Sequence, residues 1–455
     1  MIKDYLGTMV LSNSFLLKFL LPLVAEQLLA ILVGLADTLM ASSICESAVD
    51  AISIVDQVFI FINILLSSFA SGGVILVSRF FGAKNFPTLK KTVHLLFILL
   101  IIYAAILMII AFAFKIPLMN FLFPAIDEEI RNLANPYFYT LVFSIPCVAL
   151  FNCSCAIFRG LGKTSTSMWI SLLMNILNIV GNFITVQFFD LGISGIAAST
   201  FISRFCAGFV GIVIIAVFMN HTTNKNKQEN YSTAPENSSF ALAGKICSLA
   251  LPSSLENGLY QLGKLLVMTF IGKMGSLAIA ANAACNVVSS VGVVTGFAAS
   301  NALLSLVAVA YGEKNPASIR NSIRKIMTFV YASFAIINIP IFIFAPQIAL
   351  LFRYSPESTV LAVQLIRYHA LFCTFFWPTS SAFPSALRAL GDVKFTLLVS
   401  SVSMWIIRIG ICYILSFTFN LGVLGVWIAM SIEWIVKSAC FLLRYRKIYK
   451  KFTFA

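Results

Sequence analysis

Charged residues are scarce in this 455-residue sequence: Asp, Glu, Lys and Arg together make up 11% of it, where ordinary globular chains carry about 25%. With 60% hydrophobic residues, 42 Phe and a mean hydropathy of +0.96, a water-soluble fold would leave far too much apolar surface exposed. A soluble enzyme and a nucleic-acid-binding module are both excluded. Histidine is limited to His94, His221 and His369, which are too scattered for a metal or general-base site. The sequence contains no H-E-x-x-H, no G-x-S-x-G and no P-loop, so neither hydrolytic chemistry nor direct use of ATP is expected. The chain is read as a non-enzyme without a cofactor. Its ten Cys lie mainly inside apolar segments, without the paired loop spacing of a disulfide framework, and behave as small buried hydrophobes.

What the chain has in abundance is long apolar runs. A membrane-spanning helix needs about 20 such residues, and twelve stretches qualify: 16–41, 52–78, 92–114, 134–158, 166–188, 192–219, 246–272, 276–308, 326–350, 359–385, 395–417 and 421–443. The net charge of +14 is concentrated in the connections: Arg79, Lys84, Lys90 and Lys91 in the second, Lys314, Arg320, Arg324 and Lys325 in the eighth, and Arg444, Arg446, Lys447, Lys450 and Lys451 in the tail. The positive-inside rule puts these segments, and therefore both termini, in the cytoplasm.

One connection, 220–243, is polar, Asn-rich and without periodicity, and reads as a cytoplasmic linker. It separates an N-terminal six-helix lobe (1–219) from a C-terminal one (244–443), followed by a basic tail (444–455). The lobes repeat one another. Pro22 and Glu26 in P-L-V-A-E match Pro252 and Glu256 in P-S-S-L-E; Gly82 to Asn85 matches Gly312 to Asn315; Arg159-Gly-Leu-Gly162 matches Arg388-Ala-Leu-Gly391; Leu191 to Gly195 matches Leu421 to Gly425. These matches share an offset of 229 or 230 residues. Six helices per copy is an even number, so the copies share one orientation. The expected fold is an all-α polytopic membrane protein: twelve transmembrane helices in two six-helix lobes related by a parallel internal repeat, facing each other across a cavity.

Ionisable groups in lipid usually mark a pathway. Asp37 lies near the outer end of the first span. Asn178 and Asn182, at i and i+4, share a face of the fifth, and Thr200 lies about two turns into the sixth. A carboxylate with amide and hydroxyl oxygens at one depth suits a hard cation such as Na⁺; it also suits a proton on Asp37 or an interhelical hydrogen-bond network. Glu256 has no partner within its own helix, since Lys264 is eight residues away. A proton or cationic ligand is favoured for it over an ion pair with Arg367 or Arg408. Glu26 holds the equivalent depth in the first lobe, and Gln261 and Lys264 follow Glu256 on its helix. Pro22 and Pro252, each one turn before a Glu, are the hinge candidates.

The order and spacing of several segments resemble the multidrug and toxic compound extrusion (MATE) family over nearly the whole chain: P-L-V-A-E-Q-L-L-A-I-L-V-G-L-A-D-T-L-M-A-S at 22–42, V-I-L-V-S-R-F-F-G-A-K-N at 74–85, F-R-G-L-G-K-T at 158–164, M-N-I-L-N-I-V-G-N-F-I at 174–184, L-P-S-S-L-E-N-G-L-Y-Q-L-G-K at 251–264 and L-R-A-L-G-D at 387–392. The resemblance implies export of organic cations and other amphipathic compounds across the bacterial inner membrane in exchange for H⁺ or Na⁺, by alternating access, in a monomer that binds no nucleic acid. It places Asp37, Asn178, Asn182 and Thr200 on the family's cation-site positions, with Asn182 where many members have Asp. The alternative is a lipid-linked saccharide flippase of related architecture, which needs a basic cluster; Arg204, Arg367 and Arg408 are the available residues.

Overall fold

The computed structural model describes residues 13–42, 44, 46–115, 128–227 and 238–453. Every element among them is helical, with no strand, as expected where no water is present to satisfy free backbone groups. Helices α1 (Asn13–Ser42), α2 (Glu46–Gly82), α3 (Phe86–Ala113), α4 (Glu128–Gly160), α5 (Thr164–Gln187), α6 (Gly192–Lys227) and α7 (Ser239–Gly272) follow the first seven expected spans. Of the expected 220–243 linker, α6 takes the residues up to Lys227 and α7 those from Ser239, and 228–237 lie outside the described residues.

The C-terminal copy is less regular. The eighth expected span divides at Val293 into α8 (Ser276–Gly292) and α9 (Val294–Gly312). The Asn338 amide donates to the Gly292 carbonyl at 3.2 Å, satisfying one group that the break frees. Next come α10 (Pro316–Ile343), the single-turn α11 (Ala345–Leu350) and α12 (Pro356–Trp377). A π-helical turn over Pro378–Ala382 leads into α13 (Pro384–Ala389). The penultimate span is α14 (Val393–Val402), a π turn over Ser403–Arg408, α15 (Ile409–Tyr413) and another π turn over Ile414–Thr418; α16 (Gly422–Thr453) closes the chain. Among the described residues, eleven helices are long and apolar enough to cross a membrane. The remaining expected span is α7, 34 residues long and interrupted by Glu256 and Lys264.

The repeat is visible in the backbone. Four left-handed positions of the first copy recur in the second: Lys84 (φ 56°) with Lys314 (54°), Gly162 (78°) with Gly391 (98°), Asp190 (48°) with Asn420 (53°), and Gly192 (55°) with Gly422 (53°). The caps pair too, since Asn85 Oδ1 accepts from the Thr88 amide and Asn315 Oδ1 from the Ser318 amide, each at 3.1 Å. Two copies of one set of turns, in the same order, give two copies of one helical arrangement.

The chain forms two compact units, Leu21–Ser254 and Leu255–Ala455 together with the residues before Leu21. The boundaries fall inside α1 and α7, next to Pro22 and Pro252. In the first unit α4 is central and packs on α2, α3 and α6. In the second, α12 packs on α8, α10 and α16. Because lipid offers little hydrophobic drive between helices, close approach depends on small residues. At Gly181 of α5, an added Cβ would collide with the Ser199 hydroxyl of α6. The opposite kind of surface is seen on α3, where Ile98, Ile102, Ile106 and Ile109 form an exposed stripe at helical spacing, suited to acyl chains.

Candidate functional site

Asp37 lies on α1 five residues before its end, at Ser42. Its Oδ1 accepts from Asn182 Nδ2 of α5 at 2.7 Å. One turn earlier, Asn178 Nδ2 donates to Thr200 Oγ1 of α6 at 3.1 Å, and the Ser199 hydroxyl donates to the Asn178 carbonyl at 3.2 Å. The Gly181–Ser199 approach sets α5 and α6 close enough for these bonds. The four residues expected to share a site are therefore brought together as two bonded pairs on three helices. Asn178, Asn182 and Thr200 are buried. The amide oxygens of both Asn side chains are buried without a hydrogen-bond partner, and such oxygens are unusual enough to need an explanation. Among the described residues, Asp37 makes no ion pair.

Three neighbours complete the arrangement. Asp56 of α2 accepts from the Tyr137 hydroxyl of α4 at 3.1 Å, and Arg204 of α6 donates to the Ser144 hydroxyl at 2.8 Å. Asp37, Asp56 and Arg204 lie near enough to act on one another electrostatically. Two carboxyl groups thus stand near one guanidinium in this part of the first unit. Their proximity was not legible in the sequence, where Asp56 and Arg204 sit far from Asp37 and from one another; the signal available was their common status as charges inside apolar runs.

Glu26, also on α1, is held differently. It takes Arg159 Nη1 at 2.7 Å and the Ser167 hydroxyl at 3.0 Å. Its repeat mate Glu256 takes Arg388 Nη1 at 3.7 Å, Thr396 Oγ1 at 3.0 Å and Ser400 Oγ at 2.7 Å. Where the sequence favoured a proton or a cationic ligand on Glu256, and Arg367 or Arg408 as the competing partner, the structure supplies Arg388 and two hydroxyls. The physical reason is in the repeat: Arg388 stands to Glu256 as Arg159 does to Glu26, and Thr396 stands as Ser167 does. Gln261 and Lys264 are not part of this cluster. They lie further along α7, beside Tyr260.

Of the arginines of the alternative reading, Arg204 bonds Ser144, Arg408 bonds Tyr260 and Glu433, and the exposed Arg367 donates to the Phe342 carbonyl.

With this geometry in hand, the comparisons with known proteins are direct. The family model described as MatE matches twice, over residues 22–184 and 252–414, the two copies of the repeat. The chain is 25% identical to a protein named probable multidrug resistance protein NorM from Thermotoga maritima, covering 94% of this chain and 91% of that one. It is also 25% identical to an uncharacterized transporter YisQ from Bacillus subtilis, covering 91% and 90%. Among solved structures, an outward-facing multidrug resistance MATE family transporter of the MOP superfamily superposes with a TM-score of 0.82 at 21% identity, covering 98% of both chains. A MOP superfamily transporter from Pyrococcus furiosus, described as having a binding pocket of reverse polarity, has the same TM-score and identity, covering 98% of this chain and 99% of that one.

Proposed function

We propose that this chain, which belongs to the MatE family of multidrug and toxic compound extrusion transporters, exports small amphipathic organic compounds unchanged, organic cations among them, in exchange for an inward small cation, H⁺ or Na⁺. It acts as a monomer in the cytoplasmic membrane, with both termini inside; the basic connections support that orientation. The names of the relatives from Thermotoga maritima and from other bacteria support multidrug resistance as the biological role.

The observation that carries the proposal is the Asp37 site: among the described residues, a carboxylate with a single amide donor and no ion pair, next to buried amide oxygens that lack a donor. A ligand set of carboxylate and amide oxygens accepts a hard cation, and the carboxylate alone accepts a proton. Enclosing a bare carboxylate in a low-dielectric surrounding costs several kcal/mol. A cation arriving at Asp37 removes that cost and so favours the closed state. Export then follows if the exported compound prefers the other state, since a ligand without preference shifts no equilibrium.

Pro22 is the proposed hinge. The Glu26–Arg159–Ser167 cluster fixes α1 to α4 and α5 one turn beyond the proline, so bending concentrates where the helix lacks a backbone donor. Pro252 holds the equivalent position in α7. The test is dye efflux from membrane vesicles under pH and Na⁺ gradients imposed separately. Asp37→Asn should abolish efflux under both, and efflux that persists in that variant refutes the proposal.

A further inference from the structure

The second unit contains a charge cluster unlike that around Asp37. Glu433 of α16 is fully buried. Arg408 Nη1 lies 3.2 Å from its Oε2 and Lys437 Nζ 3.4 Å from its Oε1. Arg408 and Lys437 are themselves more than nine-tenths buried. Two cations thus share one carboxylate inside the membrane-spanning part of the protein, where an uncompensated charge is costly. Lys264 of α7 adds a third positive charge that acts on Arg408. Among the described residues, the other carboxylates of the unit are engaged or lie elsewhere. Glu256 is taken by Arg388, Asp392 by a two-pronged contact with Arg444 at 2.6 and 3.1 Å, and Glu313 and Glu357 lie at helix ends in the connections.

The donors are incompletely used. Arg408 engages Glu433 and the Tyr260 hydroxyl through the same nitrogen, Nη1, the latter at 2.7 Å. Its Nε is buried with no partner. Tyr260, as the acceptor of that bond, keeps its own proton for another acceptor, and its ring lies 5.0 Å from Lys437 Nζ and 5.8 Å from the Arg408 guanidinium carbon. The local backbone is built for this. Arg408 ends the π turn of Ser403–Arg408, an irregularity that recurs at functional sites. Gly263 lets α7 close on that turn, since a Cβ there would meet Met404 Cγ at 2.6 Å. Tyr260 and Lys264, at i and i+4, flank that contact.

We propose that Arg408, Lys437, Tyr260 and Lys264 bind the carboxylate of an amphipathic organic acid or zwitterion. Glu433 is the internal counter-ion that occupies the two buried cations until the ligand's carboxylate replaces it. The planar fork of Arg408 fits a carboxylate with two parallel hydrogen bonds. The inference rests on the reading of the chain as an exporter of small organic compounds and names a class among them.

Binding is therefore measured apart from flux. The full chain in phosphatidylcholine nanodiscs is titrated against rhodamine B, which carries a carboxylate, and against its ethyl ester, which does not, with anisotropy as the readout. Rhodamine B should bind at least tenfold more tightly than the ester. Arg408→Gln or Lys437→Gln should abolish the difference; each leaves one cation with Glu433, a balanced pair. Glu433→Gln, which removes the competitor, should widen it severalfold, an effect that a purely structural ion pair would not give. Lys264→Gln leaves the buried pair untouched and should narrow the preference about threefold, which keeps the test decisive if a buried variant fails to fold. Equal binding of acid and ester by the unsubstituted protein, or a preference that survives Arg408→Gln, overturns the inference. Competition by millimolar inorganic phosphate supports a site open to soluble anions. Loss of binding only in nanodiscs containing phosphatidylglycerol assigns the cations to a lipid headgroup and overturns the substrate assignment. Efflux of the cationic ester from vesicles tests the exporter reading separately.

Discussion

Removing the arginine from each copy of the Glu–Arg cluster should have unequal effects, and the structure gives the order. Glu26 has two contacts, Arg159 at 2.7 Å and Ser167 at 3.0 Å. Arg159→Gln leaves a largely buried carboxylate with a single hydroxyl donor. Breaking one side of such a pair costs about 3–5 kcal/mol. Glu256 has three contacts, and its arginine is the most distant of them at 3.7 Å. Arg388→Gln leaves two donors, at 3.0 and 2.7 Å, and a hydrogen bond to a charged group is worth about 1.5–3 kcal/mol. The second variant should therefore lose less stability by roughly one such bond. Thermal unfolding of the purified protein in detergent, followed by tryptophan fluorescence, reads the order directly. The double variant Glu26→Gln/Arg159→Gln should recover much of the loss, because no charge then remains unpaired. Equal melting temperatures for the two single arginine variants, or a lower one for Arg388→Gln, would refute the argument that hydroxyl donors compensate for the longer ion pair.

Three other outcomes are expected. Asn182→Asp places a second carboxylate where a 2.7 Å amide contact now stands, so the pair should share a proton or hold Na⁺ more tightly; efflux under a Na⁺ gradient should rise relative to the unsubstituted protein in the vesicle assay. Asn85→Ala and Asn315→Ala each remove a helix cap worth about 1 kcal/mol, and the two should lower the melting temperature by similar amounts, since the cap bonds are alike at 3.1 Å. Asp37→Asn should keep the unfolding temperature near that of the unsubstituted protein while losing gradient-driven transport, because Asp37 is only partly buried and forms no ion pair among the described residues.

Much of the architecture follows from one-dimensional information. Apolar runs locate spans because a helix in lipid must be long and greasy whatever its partners, and the offset of 229 or 230 residues revealed the duplication because turns such as Gly82–Asn85 need particular residues. The pairing of Asp37 with Asn182, and of Asn178 with Thr200, was within reach because depth along a helix is proportional to residue count. Lateral neighbours were harder. Arg159 and Arg388 sit at helix ends beside the basic connections, so they read as topology signals and not as partners of Glu26 and Glu256. The repeat contained the answer, since the glutamate, the arginine and a hydroxyl recur together in both copies. The π turns left no such trace: Ser403–Arg408 has an ordinary apolar composition, and the direction in which Arg408 points depends on one extra residue per turn. The break at Val293 was equally hidden, because the side chain that accommodates it, Asn338, comes from another helix.

Residues before Leu21 group with the second unit, and Lys325 donates to Asn13 at 3.2 Å across 312 positions of sequence. At a synthesis rate of about 5–20 residues per second, the leading turns of α1 wait on the order of fifteen seconds to a minute before that partner leaves the ribosome. Glu26 and Asp37 of the same helix meet their partners Arg159, Ser167 and Asn182 within 145 positions, so α1 is held first at its middle and outer end and only later at its leading turns.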